Sequence, residues 1–586
     1  MAESNATRAD SDEIVLRARD LRVVFPHRHG DIVTLDGVGF DVRRGEILGM
    51  VGESGAGKSM TGAAIIGLID SPGYLDRGEV ELSGKRIDKL DARSSQNIRG
   101  RRISMVFQDP LTSLNPLRTI GDQLIETITT HLSVSRDEAK RKAIAGLEEV
   151  GIPANRFNAY PHEFSGGMRQ RVVIALSLCA EPELIIADEP TTALDVSVQA
   201  QVLKLLRQLC QEHNTAVILI THDMGVIAET TDRVAVLYGG ELLEIGDTQT
   251  VLENPQHPYT RGLIACTPSV EYGDITTRLA QIGDENVDQP PSGFENATPT
   301  SEINPSEENG NQTFIRIENL SRRFDLSDPW LARVMYRRSK QFLDAVDNVS
   351  FEIQRGTTYA LVGESGSGKS TIARMAVGLL APSTGQVLID GHNLHDTNMT
   401  QSEHRKIRQR MQMVFQSPFA SLNPRWRVGS ILAEPLRVFE LVDDNDAERA
   451  RVTELLEQVG LSASDAKRFP HEFSGGQRQR ISIARSLASK PDFIVCDEPT
   501  SALDVSVQAQ VLNLLKELQQ ELGLTYLFIT HDLAVVRVMA HNIGVLKSGK
   551  LVEEQATEAL IESPQSDYTQ MLIRSAPRIR RKEPLT

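Results

Sequence analysis

The chain has 586 residues and a formal net charge of −16, with 40% hydrophobic and 24% charged residues. This composition is ordinary for a globular protein, and at roughly 100–200 residues per domain the length predicts several structural units. The acidic charge argues against a dedicated nucleic-acid binder, whose surface is normally basic. No apolar run approaches the roughly 20 residues that a membrane-spanning helix needs, so we expect other chains to supply any such helices.

The sequence contains a long internal repeat. GESGAGKS at 52–59 recurs as GESGSGKS at 363–370, and YPHEFSGGMRQR at 160–171 recurs as FPHEFSGGQRQR at 469–480. Solenoid repeats have periods of roughly 20–50 residues, and this period is far longer. The repeating unit is therefore a whole domain that has been duplicated.

The repeat predicts the domain boundaries. The first domain is predicted at residues 12–270 and the second at 313–575. Between them, residues 271–312 are predicted to be an acidic linker rich in Pro, Asn and Ser, a composition that lacks the apolar groups needed to fold. Residues 576–586 are predicted to be a basic tail.

Each copy opens with a glycine-rich loop between a predicted strand and a predicted helix. Such a loop lets backbone N–H groups approach phosphates, and the helix N-terminus adds partial positive charge. Lys58 and Lys369 are predicted to contact the β- and γ-phosphates of a nucleotide, and Ser59 and Ser370 to ligate Mg²⁺. The other loop residues predicted to bind ATP are Gly52, Ser54, Gly55, Gly57, Gly363, Ser365, Gly366 and Gly368.

Two apolar runs end in acidic pairs. LIIAD at 184–188 and FIVCD at 493–497 fit buried parallel strands that deliver a carboxylate at their C-terminal ends. We predict that Asp188 and Asp497 hold Mg²⁺ through water. Glu189 and Glu498 follow directly and are placed to polarise the attacking water.

A histidine and a glutamine complete each set of polar residues. His222 and His531 follow the apolar runs VILIT and LFIT, and the interpretation is a contact with the γ-phosphate. Gln108 and Gln416 follow MVF strands and are suited to sensing Mg²⁺ and water.

Together with FSGGMRQR and FSGGQRQR, these motifs resemble those of the ABC ATPase family over nearly the whole chain, twice. The resemblance implies an α/β fold with two P-loop NTPase ABC domains. Each would have a RecA-like parallel-sheet core, an antiparallel β subdomain and an α-helical signature subdomain, near 109–175 and 417–484. It also implies that the two domains pair head to tail within the chain, with ATP between the Walker A loop of one and the signature of the other.

The implied pairing gives two composite sites. The first would combine Lys58, Asp188, Glu189 and His222 with Ser474, Gly475, Gly476 and Gln477. The second would combine Lys369, Asp497, Glu498 and His531 with Ser165, Gly166, Gly167 and Met168. Asp195 and Asp504 would cross the interface. Phe25 and Phe324 lie where the family stacks an aromatic ring on adenine, although an aromatic that ends a strand is also typical of core.

Each site departs from the family pattern at one position. Met60 stands where Thr371 supplies a second hydroxyl in the other half, and Met168 replaces the signature glutamine. Each change removes a possible hydrogen bond, worth about 0.5–1.5 kcal/mol, and no catalytic group. Our hypothesis is that both sites hydrolyse ATP.

Three further features resemble the ATPases of the peptide/nickel class of importers: SLNP after each MVFQ, the tandem DVSVQAQVL, and NPQHPYTRGLI at 254–264 with SPQSDYTQMLI at 563–573. That class implies two transmembrane permease subunits, an extracytoplasmic solute-binding protein, and a peripheral position on the cytoplasmic face of the bacterial inner membrane. It implies ATP and Mg²⁺ as cofactors and no nucleic-acid partner. Some members bind an iron–sulfur cluster after HPYT. Residues 265–312 hold only Cys266, so we expect no cluster here.

Two other classes of ATPase fit the sequence less well. A soluble tandem ABC protein acting on ribosomes or nucleic acid typically has a charged, often basic, helical linker, whereas this linker is acidic and rich in proline. A protein of the SMC type needs a coiled-coil insertion, and no sustained heptads appear. Residues 327–342, which mix apolar and basic side chains, fit either a solvated hairpin or a contact with permease or lipid headgroups.

Overall fold

The computed structural model describes residues 13–28, 30–191, 194–271, 273–282, 313–327, 340–396, 398–501 and 503–576. Contacts divide the chain into two units between Ala265 and Cys266. Residues 283–312 of the predicted linker, residues 328–339 of the mixed apolar and basic segment, and tail residues 577–586 lie outside the described part of the chain.

The first unit has a strand directly before the glycine-rich loop and a helix directly after it, as the motifs predicted. Its strands are β1 (Ile14–Phe25), β2 (Ile32–Arg43), β3 (Ile47–Val51), β4 (Tyr74–Leu82), β5 (Lys85–Arg86), β6 (Ile103–Val106), β7 (Leu184–Asp188), β8 (Ala216–Ile220), β9 (Arg233–Tyr238) and β10 (Glu241–Asp247). Its helices are α1 (Lys58–Ile66), α2 (Ala92–Ile98), α3 (Pro110–Ser113), α4 (Ile120–His131), α5 (Arg136–Glu149), α6 (Gly166–Leu178), α7 (Val196–His213), α8 (Met224–Thr230), α9 (Thr248–Glu253) and α10, which begins in this unit (Pro258–Cys266).

Two sheets organise the first unit. One has the strand order β10-β9-β3-β8-β7-β6 and is parallel except for the β9–β10 pair. The other has the order β2-β1-β4-β5 and is antiparallel. Strands β3, β7 and β8 are buried at every position, which is typical of parallel strands covered on both faces.

The second unit repeats these elements. Its strands are β11 (Thr313–Asp325), β12 (Phe342–Gln354), β13 (Thr358–Val362), β14 (Thr384–Ile389), β15 (His392–Asn393), β16 (Met411–Val414), β17 (Phe493–Asp497), β18 (Thr525–Ile529), β19 (Asn542–Lys547) and β20 (Lys550–Ala556). Its helices are α11 (Lys369–Ala376), α12 (Gln401–Arg410), α13 (Pro418–Ser421), α14 (Val428–Val438), α15 (Asn445–Gln458), α16 (Gly475–Leu487), α17 (Val505–Leu522), α18 (Leu533–Met539), α19 (Thr557–Glu562) and α20 (Asp567–Ser575).

The sheets of the second unit have the same connectivity. The mixed sheet has the order β16-β17-β18-β13-β19-β20, and the antiparallel sheet has the order β12-β11-β14-β15. In both mixed sheets the strand before the glycine-rich loop lies centrally. The loops after parallel strands therefore gather at the carboxyl edge of the sheet, where ligands of α/β folds bind.

Polar residues mark the starts of several helices. Ser135 accepts the N–H of Glu138 at the start of α5, and Asp223 accepts the N–H groups of Gly225 and Val226 at the start of α8. Such side chains satisfy N–H groups that have no partner within the helix. Asp223 follows His222 directly, so this cap also fixes the backbone beside the histidine.

Part of the predicted linker packs within the second unit, on α17 and α18. Asn513 on α17 is 1% exposed. Its side chain donates to the carbonyl of Leu279 at 2.8 Å and accepts the N–H of the same residue at 3.0 Å. Lys516 donates to the carbonyl of Thr277 at 2.6 Å, and Arg537 on α18 donates to that of Gly273 at 2.7 Å. Residues 273–282 are thus held by side chains of two helices.

Among the helices in the part of the chain that the structure describes, none is both long enough and apolar enough to cross a membrane.

Candidate active site

The glycine-rich loop of the first unit is folded around its own lysine. Lys58 Nζ donates to the carbonyl oxygens of Gly52 at 2.7 Å and Glu53 at 2.9 Å, and Lys58 is 6% exposed. Gly57 precedes α1 with φ of 97°, a left-handed conformation that glycine adopts without strain. The loop is therefore already curled into a cradle with the ammonium group inside it.

The serine after this lysine faces the aspartate at the end of β7. Ser59 Oγ donates to Asp188 Oδ1 at 2.9 Å. A hydroxyl and a carboxylate oxygen are the hard donors that Mg²⁺ prefers, together with water and phosphate oxygens. The pair therefore fits the predicted Mg²⁺ site.

Both oxygens of the Glu189 carboxylate have partners from separate loops. Gln108 Nε2 donates to Oε2 at 2.9 Å, and His222 Nδ1 lies 3.1 Å from Oε1. Residues from the ends of three parallel strands, β6, β7 and β8, thus converge on one carboxylate. All three residues were predicted for the site from the sequence, but no sequence pattern indicates that the glutamine and the histidine contact the same side chain.

The second unit reproduces the arrangement. Lys369 Nζ donates to the carbonyls of Gly363 at 2.6 Å and Glu364 at 2.9 Å, and Ser370 Oγ donates to Asp497 Oδ1 at 3.0 Å. The carboxylate of the acidic pair is again held from two sides. Gln416 Nε2 donates to Glu498 Oε2 at 2.7 Å, and His531 Nδ1 lies 3.3 Å from Glu498 Oε1.

The two glutamates share an unusual backbone conformation. Glu189 has φ of 45° and Glu498 has φ of 47°. A non-glycine residue seldom occupies this left-handed region, and the energetic cost is accepted mostly at functional sites. In each case the backbone N–H donates to the end of the neighbouring strand, at Ile220 and Ile529, both at 2.9 Å. The sheet therefore holds the strained residue in place.

The signature residues belong to a different element. Ser165 caps α6 and accepts the N–H of Met168, and Ser474 caps α16 and accepts the N–H of Gln477, both at 3.3 Å. A Cβ atom on Gly167 would overlap Cγ1 of Val198 on α7. The second signature glycine is therefore needed for helix packing, and the repeat shows the same approach at Gly476 and Val507.

The remaining predicted residues lie at the ends of elements. Phe25 ends β1 and its ring lies against Gly73, while the guanidinium of Arg322 lies 4.9 Å from the ring centroid of Phe324 on β11. Asp195 and Asp504 occupy the N-cap positions of α7 and α17. Their predicted roles at adenine and across the interface stay predictions.

Comparison with known proteins places this site in a family. The model of the ABC transporter family matches residues 35–192 and 346–501, and a model described as the C-terminal region of oligopeptide/dipeptide transporters matches residues 243–293 and 552–586. The chain belongs to the ABC transporter family. The predicted α/β fold with two ABC domains is confirmed, and the chain is an ATPase.

Relatives match along almost the full chain. The glutathione import ATP-binding protein GsiA of Escherichia coli strain K12 is 42% identical over 97% of this chain and 91% of its own length. The protein of the same name from Shigella dysenteriae serotype 1 strain Sd197 gives the same values. Among solved structures, the dimeric ATP-binding cassette MJ0796 in a post-hydrolysis state with ADP and Pi matches 42% of this chain and 98% of its own length, with 30% identity and a TM-score of 0.36.

The two ABC domains differ at the positions noted from the sequence. Gln477 Oε1 accepts the backbone N–H of Ser474 at 3.1 Å, which completes a reciprocal capping box. Met168 has no side-chain oxygen to do this and packs against the core of the first ABC domain. Met60 likewise packs against core residues.

Burial shapes the charge states of this ATPase's acidic groups. Burial raises the pKa values of Asp188 and Asp497, opposed by the hydrogen bonds from Ser59 and Ser370. Burial also opposes ionisation of Glu498. However, the hydrogen bond and charge of His531, with Lys369 and Gln416, lower the pKa of Glu498 below its ordinary value. The pKa of His531 is raised because Glu498 and Asp532 together outweigh the effect of its burial.

Proposed function

We propose that this chain is the ATP-hydrolysing subunit of an importer for glutathione, peptides or related small solutes, and that separate permease subunits form the path across the membrane. The observation that carries the proposal is the same Lys–Ser–Asp–Glu–Gln–His cluster in both ABC domains. Each of these domains is followed in the chain by a segment that matches the C-terminal region of oligopeptide/dipeptide transporters. The names of the relatives favour an importer over a soluble tandem ATPase that acts on ribosomes or nucleic acid.

In this proposal Glu189 and Glu498 are the general bases. The pKa of Glu498 is held low by its partners, so its carboxylate is ionised and can accept a hydrogen bond from the attacking water. Gln108 and His222 hold the two oxygens of Glu189, and Gln416 and His531 those of Glu498. The base is therefore oriented before ATP arrives.

The Walker A residues bind and neutralise the phosphates. Lys58 and Lys369 would exchange the loop carbonyls for the β- and γ-phosphate oxygens. Mg²⁺ would be held in each domain by the serine directly and by the aspartate through water. The pairs are Ser59 with Asp188 and Ser370 with Asp497. Bound there, the ion supplies charge neutralisation of the phosphates.

The two sites are proposed to be composite. The N–H groups at the start of α6, beside Ser165 and Gly166, would face the γ-phosphate held by Lys369. The N–H groups at the start of α16 would face the γ-phosphate held by Lys58. A helix N-terminus suits this because its N–H groups and its dipole favour anions. ATP binding would then join the two domains and hydrolysis would release them.

The proposed partners follow from the importer assignment. They are two transmembrane permease subunits and an extracytoplasmic solute-binding protein, with this chain bound to the permeases at the cytoplasmic face of the bacterial inner membrane.

The first experiment is affinity purification of the tagged chain from detergent-solubilised native membranes, with mass spectrometry of the eluate. We expect two polytopic permeases. Recovery of ribosomal proteins without any membrane protein would refute the importer. A second arm follows uptake of labelled glutathione and dipeptides in cells whose only copy carries Glu189→Gln and Glu498→Gln. Uptake equal to that of wild-type cells would also refute the proposal for these solutes.

A further inference from the structure

A tyrosine from each C-terminal region contacts the Walker A loop of its own domain. Tyr259 Oη accepts the backbone N–H of Glu53 at 3.3 Å, and Tyr568 Oη accepts that of Glu364 at 3.2 Å. The partners are 206 and 204 residues apart in the chain. Two domains with different sequences thus keep the same contact, and the functions assigned above do not explain it.

A hydrogen-bond network that begins on β10 positions the tyrosine of the first domain. The Glu244 carboxylate on β10 accepts the backbone N–H groups of Gln256 at 2.8 Å and His257 at 3.1 Å. The N–H of Tyr259 then donates to His257 Nδ1 at 3.1 Å, at the start of α10. This strand therefore sets the position of the helix that carries the tyrosine.

The second domain builds the same support from other residues. The Glu553 carboxylate accepts the N–H groups of Gln565 at 2.7 Å and Ser566 at 3.0 Å, and the N–H of Tyr568 donates to Ser566 Oγ at 3.2 Å. Serine thus does here what histidine does in the first domain. The glutamate and the tyrosine are the parts that both copies share.

Each tyrosine ring is also covered. Tyr238 at the end of β9 packs on Tyr259 with ring centroids 4.6 Å apart. At the end of β19, Lys547 Nζ lies 4.7 Å from the ring centroid of Tyr568. Both tyrosines are 7% exposed. These ring contacts stabilise the orientation in which the hydroxyl meets the loop.

The residue that each tyrosine contacts also accepts a hydrogen bond from the Walker A lysine. Glu53 offers its carbonyl to Lys58 and its N–H to Tyr259, and Glu364 does the same with Lys369 and Tyr568. When the lysine turns to the phosphates, its bond to this carbonyl is lost. The tyrosine bond to the N–H does not depend on the lysine and can persist.

We propose that Tyr259 and Tyr568 are positioning residues that anchor the Walker A loops, so that the C-terminal region of each domain sets the affinity of that domain for ATP. They act through the backbone of Glu53 and Glu364 and take no part in the chemical step. The inference rests on the proposed assignment of ATP binding to the two Walker A loops.

The test uses the full chain with Tyr259→Phe, Tyr568→Phe and both together. Binding of ATP is titrated by equilibrium dialysis in the Glu189→Gln/Glu498→Gln background, where hydrolysis does not interfere. Loss of one neutral hydrogen bond per site should raise Kd by about 2- to 10-fold. With the glutamates intact, KM for ATP should rise by a similar factor while kcat at saturating ATP stays unchanged.

Two controls remove tyrosine hydroxyls elsewhere. Tyr238→Phe keeps the ring over Tyr259, and Tyr526→Phe removes a buried bond to the carbonyl of Leu515 in the core. Neither should change Kd, although Tyr526→Phe should lower the unfolding temperature. Unchanged Kd and KM in the double Tyr259/Tyr568 variant, or a fall in kcat without a change in KM, would overturn the proposal.

A further pair of variants separates this inference from the assignment beneath it. Lys58→Ala and Lys369→Ala should abolish high-affinity ATP binding at their own sites. If they do not, the Walker A assignment itself is wrong. If they do, and the tyrosine variants still bind ATP as the parent does, only the anchoring role fails.

Discussion

His222 Nδ1 lies 3.1 Å from Glu189 Oε1, and this pair is repeated by His531 and Glu498 at 3.3 Å. In both domains the other carboxylate oxygen accepts a hydrogen bond from a glutamine side chain. The glutamate is therefore oriented by two neutral or cationic groups from separate loops. Such preorganisation places a base correctly without further rearrangement.

Replacing either glutamate should reduce ATP turnover. Glu189→Gln and Glu498→Gln each keep the size of the side chain and remove the base, and loss of a general base costs roughly 10²–10⁴-fold at the affected site. The double variant should be almost inactive in a steady-state ATPase assay. Glu212→Gln, an exposed change on α7, is the control. If either single active-site variant leaves turnover at the wild-type level, that site does not hydrolyse ATP.

Replacing either histidine should have a smaller effect on the same step. His222→Ala and His531→Ala leave the glutamate in place but unsupported on one side, and misplacement of a catalytic group can cost up to about 10²-fold in kcat. His213→Ala is a matched control, because His213 also pairs with a glutamate, at 2.5 Å from Glu149. A turnover number unaffected by both active-site changes would contradict the orienting role.

Exchanging the signature residues should shift stability in opposite directions. Met168→Gln can complete the capping box that Gln477 makes with Ser474, and Gln477→Met removes it. The free energy of unfolding should rise by about 0.5 to 1 kcal/mol in Met168→Gln and fall by about the same amount in Gln477→Met. Urea unfolding of the full chain checks both signs. Destabilisation by Met168→Gln would show that the first domain cannot accommodate the cap.

Replacing Asn513 should weaken the attachment of residues 273–282 to α17. Asn513→Ala leaves the N–H and the carbonyl of Leu279 without their side-chain partners, at a cost of about 1–3 kcal/mol. Trypsin should then cleave faster after Arg278. Lys204, the exposed counterpart on α7, provides the control Lys204→Ala, which should leave cleavage after Arg278 unchanged. Equal cleavage rates in both variants would contradict the importance of the two bonds.

The buried Lys516 should make stability depend on pH. Burial lowers its pKa to about 8, with Asp274 acting in the opposite direction, against an ordinary value of 10.5. Between these values the unfolded chain binds more protons than the folded one, so stability rises with pH. The stability gained when Lys516 is neutral is fully present above pH 10.5 and is lost as the pH falls through 8.

The difference between wild type and Lys516→Met isolates this effect. The free energy of unfolding of wild type minus that of the variant should grow between pH 8 and 10, by no more than about 3 kcal/mol. Urea unfolding at several pH values measures it. A difference that stays constant over this range would show that Lys516 titrates normally in the folded protein.

The residue patterns predicted the parts of this protein that depend on short-range chemistry. LIIAD and FIVCD are β7 and β17 with every position buried, because a continuous apolar run can be satisfied only between two covering layers. The Walker A lysines, the acidic pairs, the glutamines and the histidines were found because each follows such a strand. The carboxyl ends of parallel strands share one edge, so these residues had to lie near one another.

Other relationships required the folded chain. The composition of residues 271–312 favoured a linker, yet residues 273–282 lie against Asn513 and Lys516, because individual polar side chains can fix a backbone that has little apolar surface. The left-handed backbone of Glu189 and the contact between Tyr259 and Glu53 leave no local pattern. Residue types and their spacing thus determined the two domains and the set of residues predicted for the active site. Which backbone group each side chain meets was decided by tertiary packing, because those partners are brought together by elements distant in sequence.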